Sequence, residues 1–202
     1  SERSRGLGDV YKRQAESFTN KIVRAAGIVS TTDAGAAIGA GASAITSIQT
    51  ADLNVGDLVV NQNFRSGAKI HSITNSSSLL VDRSSVNTAA ATGQIVKFLG
   101  VTTAYSSPAA TKSILIGGTF SNLTQNDVNV YVEVVDQSLA TGPIGISSVQ
   151  LASDIPIPNG SSFVISEAGK TILEAFDQIT VYCDTADAVD VNLAILSGAV
   201  SY

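Results

Sequence analysis

The stretch IPIPNGSSFVISEAGKTILEAFDQITVYCDTADAVDVNLAILS, residues 155–197, decides how this chain reads. Ile179, Val181 and Cys183 alternate with Gln178, Thr180 and Tyr182. Val189, Val191, Leu193 and Ile195 alternate with Asp190, Asn192 and Ala194. A period of two puts each apolar set on one face of a β-sheet. Phe163–Ile165 and Lys170–Leu173 are shorter runs flanking an Ala168-Gly169 turn, and they read as two further strands. Nothing in the stretch has the pattern of an active site.

Working outward, Val128, Val130, Val132 and Val134 alternate with Asn129, Tyr131 and Glu133 through one long strand. Ser113–Phe120 reads as a strand with a bend at Gly117-Gly118. Pro156 to Gly160 forms a corner. Residues 113–202 thus offer about seven strands, enough for two packed sheets, and are expected to form an antiparallel, jelly-roll-like β-sandwich domain. Residues 101–112, VTTAYSSPAATK, hold Pro108 among small polar residues and read as a linker.

Before the linker, residues 33–100 read as a small β domain. Its apolar clusters, such as Leu58-Val59, Leu79-Leu80-Val81 and Ile95 to Leu99, are bounded by Asn, Gly, Ser and Asp turns. The Gly-rich opening, residues 33–43, reads as a loop or weak strand. Its spacing of Gly35, Gly39 and Gly41 is not that of a dinucleotide-binding turn. Residues 15–32 read as a short helix and a connecting segment. Phe18, Ile22 and Ala25 or Ala26 share one helical face, and Gly27 is a plausible stop. Its function is read either as packing or as an anchor to a neighbouring subunit. Residues 1–14 carry four of the twelve basic residues without hydrophobic periodicity, and the chain holds no methionine. They resemble translated library-adaptor sequence and are expected to be a non-native leader. The rival expectation is a basic arm that binds a partner.

Composition narrows function further. The chain has 202 residues, 44% of them hydrophobic, yet no apolar run approaches the ~20 residues of a membrane helix. Only 14% are charged, and from Ser113 onward ten acidic residues face one basic residue, Lys170. That half would repel a phosphate backbone, so direct nucleic-acid binding is not expected. The acidic surface reads as a solubility device, with docking to a basic partner as the sharper alternative. Cys183, the sole cysteine, is in phase with Ile179 and Val181 and reads as a small buried hydrophobe; no nearby basic residue would activate its thiol. His71 is the only histidine, so neither a histidine metal cluster nor a Ser/His/Asp set is indicated. Gly169-Lys170-Thr171 lacks the earlier glycine of a phosphate loop, Val164 standing there instead. Asp184, Asp187 and Asp190 do not have calcium-loop spacing, although Asp184 and Asp187 could share a loop cation; the plain reading is a solvated turn. The expectation is therefore no catalytic, cofactor-binding or metal-ligating residues, no cofactor and no enzymatic activity.

Two segments carry a family resemblance. Across residues 45–86, VGDLV, GAKI and then LLVDRSS resemble a small β domain recurring in phage tail and other virion proteins. Across residues 104–197, the succession AYSSPAATKSILIGGTFSN, VNVYVEVVD, IPIPNGSSF and the final valine-rich strand resembles a β-sandwich family of tailed-phage virion proteins. In the turn Leu173 to Asp177, Phe176 stands where that family usually has glycine. The resemblance implies a non-enzymatic bacteriophage structural protein of the tail, neck or capsid surface, such as a capsid decoration. It would be a homo-oligomer in contact with other virion proteins, located in the virion after assembly in the host cytoplasm. A second reading is a carbohydrate- or receptor-binding module of a phage fibre or a cell-surface adhesin. Past the leader, only Tyr105, Tyr131, Tyr182 and Tyr202 are natural platforms for a sugar. An enzyme such as a depolymerase has the least support.

Overall fold

The structure, a computed structural model, describes residues 16–137 and 147–199, less the side chains of 147, 167–169 and 199. The expected leader, residues 1–14, lies outside them. The described residues are all β, in antiparallel sheets, with no helix. In chain order the strands are β1 (Ser17–Ala26), β2 (Ile28–Ile38), β3 (Ala44–Thr46), β4 (Leu58–Val60), β5 (Ile70–Asn75), β6 (Ser78–Val81) and β7 (Ala91–Gly100). They continue with β8 (Thr102–Ser106), β9 (Thr111–Asn122), β10 (Val128–Asp136), β11 (Ser147–Ile157), β12 (Ser162–Leu173), β13 (Gln178–Cys183) and β14 (Val189–Ala199).

Two four-stranded sheets, ordered β1-β14-β9-β12 and β11-β10-β13-β8, bury their facing sides in one core. The alternating sequences supply it. Val128, Val130 and Val132 come from β10, Ile179, Val181 and Cys183 from β13, and Val189, Val191, Leu193 and Ile195 from β14. Phe120 is fully buried there, with its ring 6.0 Å from that of Phe163. A third, six-stranded sheet, β4-β7-β2-β3-β6-β5, encloses its own core around Ile38, Ile45, Ile70, Leu79 and Phe98. A bridge between Leu58 and Lys69, with Val59 N–H donating to Ala68, joins β4 to the start of β5. The sheet thereby returns on itself, which protects edges that would otherwise template pairing with another chain.

Several expectations are corrected. Residues 17–26 form a strand, not a helix. The spacing of four between Phe18 and Ile22 places them on one face in a strand as well as in a helix, so it could not discriminate. What decides is β14, which pairs with β1 from Ser17–Ser197 to Val23–Val191. The six-stranded unit accordingly does not precede the sandwich. It is inserted into it, because the chain leaves after β1 and returns at β8. Residues 101–112, read as a linker, contain β8, an edge strand of the sandwich. Its Tyr105 and Ala104 enter the core, a signal diluted by the surrounding Ser and Thr. The two strands read in 163–173 are one strand, β12, whose register against β9 shifts between Ser166 and Thr171. The extra residues of a bulge gave the sequence its appearance of a turn. The Gly-rich opening of the small domain, read as a loop or weak strand, is strand as far as Ile38 in β2, where Ala36 is fully buried.

Phe176 occupies the turn between β12 and β13 with φ +71°, in the left-handed region that disfavours side chains. Its neighbours fix the turn: Asp177 N–H donates to Glu174 O, and Glu174 N–H donates to the Asp177 carboxylate at 2.8 Å. The left-handed conformation costs a non-glycine residue about 1–2 kcal/mol, more than glycine loses through unfolded-state freedom, about 0.5–1 kcal/mol. Phe176→Gly is therefore expected to raise the urea midpoint, by about 0.5–1 kcal/mol in stability.

Candidate assembly surfaces

The sandwich has two outward faces, and they differ. On the β11-β10-β13-β8 sheet, the residues between the core-facing ones are Tyr131 and Glu133 on β10 and Thr180 and Tyr182 on β13. All four are buried, because the inserted unit packs over them. Leu58 and Leu99 of that unit meet Tyr131 and Tyr182 in a small apolar cluster, with Val29 and Val60 against it. Beside the cluster, the Lys69 ammonium donates to the Glu133 carboxylate, with side chains only 3% and 0% exposed. Lys69 also donates to Ser148 Oγ at 3.2 Å and stands over the Tyr182 ring, 5.7 Å from its centre. The Tyr131 hydroxyl donates to Asp154 at 2.7 Å, and Lys97 pairs with Asp184 at 3.5 Å. Burial pushes both tyrosine hydroxyls far above their ordinary range; Asp154 adds to this at Tyr131 and Glu133 at Tyr182. A cleft of about 370 Å³ opens along this seam, lined by Val60, Phe64, Ser66, Tyr131 and Asp154.

The outward face of the β1-β14-β9-β12 sheet has no such cover among the described residues. Its strand register sets out three cross-strand rows. The first is Phe18, Leu196, Ile114 and Ile172. The middle one is Asn20, Ala194, Gly117 and Ser166. The third is Ile22, Asn192, Thr119 and Val164. None of these positions carries a charge, and Phe18, Ile22, Val164 and Ile172 are each more than half exposed. Cross-strand neighbours on one face reinforce one another, so the first row is a continuous apolar ridge across the sheet.

The structure places the residues singled out in the sequence on separate strands and turns. His71 is exposed on β5. Gly169-Lys170-Thr171 lies within β12. The Asp184 carboxylate accepts from Asn129 N–H at 2.9 Å and pairs with Lys97, while Asp190 accepts from Ala25 N–H at 2.9 Å; these two acids fasten loops and strands. Among the described residues no group of three or more His, Cys, Asp or Glu is placed to hold a metal ion. Tyr105, Tyr131 and Tyr182 are buried, so none offers an open ring to a sugar, and Tyr202 lies outside the described residues. Glu133 and Lys69, the central pair of the seam, gave no signal in the sequence: each reads locally as a polar strand residue, 64 positions from the other.

Cys183 is buried in the sandwich core, and burial pushes its thiol up to about 11 from an ordinary 9.0. The neutral form is the one the fold favours. Its contribution to stability is thus complete below the unfolded thiol's range and is lost as pH rises through about 11. Unfolding midpoints measured between pH 8 and 11 should fall with pH, less steeply for Cys183→Ala. At pH 8 the native thiol should resist iodoacetamide and react once urea unfolds the chain.

Compared with protein-family models, curated proteins and solved structures, the chain matches none of them.

Proposed function

We propose that this protein is a non-enzymatic structural component of a tailed-phage virion, acting through self-association and contacts with other virion proteins. The observation that carries the reading is the outward face of the β1-β14-β9-β12 sheet, uncovered among the described residues, whose three cross-strand rows are uncharged and partly apolar on a chain of formal net charge −5. The strand order supports it. Eight strands that alternate between two four-stranded sheets, except for the consecutive pair β10 and β11, are ordered as in a jelly roll, which serves in viral capsid and lectin domains and in cupins. Function does not follow from fold alone, so the surface has to decide. In this reading the inserted unit stiffens one side of the sandwich and leaves the other to neighbours. The resemblance of residues 45–86 and 104–197 to phage virion proteins points the same way.

The carbohydrate- or receptor-binding reading has less support, because Tyr105, Tyr131 and Tyr182, three of the four tyrosines that could stack on a sugar, are buried. Light scattering behind a sizing column tests the choice. A defined homo-oligomer of the full chain supports the structural reading. A monomer at every concentration together with a specific hit on a glycan array overturns it.

A further inference from the structure

We infer that the outward face of the β1-β14-β9-β12 sheet binds the same face of a second copy about a two-fold axis lying along its middle row. This rests on the self-association reading above and names the surface and geometry.

The face is shaped to meet itself. At one end the ridge of Phe18, Leu196, Ile114 and Ile172 stands out, with Phe18 73% and Ile172 61% exposed. At the other end lies a hollow of about 300 Å³ lined by Ile22, Thr119, Ser121, Asp190 and Asn192. Between them the middle row, Asn20, Ala194, Gly117 and Ser166, is made of small side chains. An in-plane two-fold along that row brings the ridge of each copy over the hollow end of the other. Phe18 of one copy then faces Ile22 of its mate, and Ile172 faces Val164. The small residues on the axis let the sheets approach, in the manner of aligned sheet packing. A contact of this kind is isologous and closes at two copies.

Charge also favours a second copy. Two chains of formal net charge −5 repel over most of their surfaces, but the three rows are neutral. Of the formal charges, Asp190 lines the hollow and Arg24 lies past it, Lys112 and Glu174, paired at 2.9 Å, lie past the ridge end, and the exposed Lys170 lies in β12 between the ridge and the middle row. Each end holds both signs, so turning one copy end for end over the other sets complementary charges within reach.

The area sets the strength. Four strands ~4.8 Å apart, each contributing about six residues at ~3.3 Å, give a face of roughly 400 Å². That is about half of what a stable interface buries on each partner, so the isolated pair is weak and gains its hold by repetition in an assembly.

The test is sedimentation velocity of the full chain from roughly 1 to 300 µM, where so small a face dissociates. The wild type should shift from monomer toward dimer. I172K and V164K, both at exposed positions outside the core, should each remove the shift, while V149K, on the other sheet at a 65%-exposed position, should leave it. The double variant I172K/V164E should recover dimers, since its opposite charges face each other only across the proposed two-fold. Circular dichroism of each variant establishes that it is folded. If the wild type dimerises and folded I172K and V164K dimerise equally well, this surface is overturned while self-association stands. If I172K/V164E stays monomeric while V149K dimerises, the two-fold is overturned. A wild type monomeric throughout overturns both this inference and the self-association on which it rests.

Discussion

Replacing Glu133 with alanine will lower the unfolding free energy by about 3–5 kcal/mol, the cost of leaving one member of a buried ion pair without its partner. Lys69 and Glu133 are almost wholly enclosed between the inserted unit and the β11-β10-β13-β8 sheet. With the carboxylate gone, the ammonium keeps, among the described residues, Ser148 Oγ and the face of Tyr182, which do not neutralise it. The pair itself adds far less than its loss removes, because both ions gave up hydration to enter the seam. The double variant Lys69→Met with Glu133→Leu should therefore unfold within about 1–2 kcal/mol of the wild type, or above it. Urea titration followed by circular dichroism measures both. A single variant that costs less than about 1 kcal/mol would show that water reaches the seam.

Gly27→Ala is the second large effect, expected to cost about 3 kcal/mol. Gly27 is the single residue between β1 and β2, where the chain leaves the sandwich for the inserted unit. Its φ of +128° is open only to glycine in practice, and a Cβ there would meet Thr185 O at 2.3 Å and Cys183 Cβ at 3.2 Å. Backbone blocks the first approach, so relief requires moving the turn that carries Asp184 and its bonds to Asn129 and Lys97. Gly41 is the matched control. Its φ is +60°, but nothing lies within 4 Å of an added Cβ. Gly41→Ala should cost only the left-handed backbone term, about 1–2 kcal/mol. Equal losses at the two sites would show that strain alone, without the clash, governs Gly27.

Much of the sandwich was legible because the strand period is a local property. Val128, Val130 and Val132, then Ile179, Val181 and Cys183, then Val189 to Ile195 all point into the core. The helix expected around Phe18 failed for the opposite reason. A strand and a helix both tolerate a spacing of four, and the deciding partner, β14, lies some 170 residues away. The assembly face was hidden similarly. Phe18, Leu196, Ile114 and Ile172 are isolated apolar residues in sequence and become a ridge only through strand register.

Alternation by itself determined which residues of each strand share a face, since the pleat turns successive side chains to opposite sides. It did not determine what each face would meet. Tyr131, Glu133, Thr180 and Tyr182 share the face opposite the core and are buried all the same, because the inserted unit closes over their sheet. The equivalent set on the partner sheet stays open among the described residues. That difference is a matter of long-range packing, in which residues 69 and 133 meet without any local signal, and only the tertiary structure decides it.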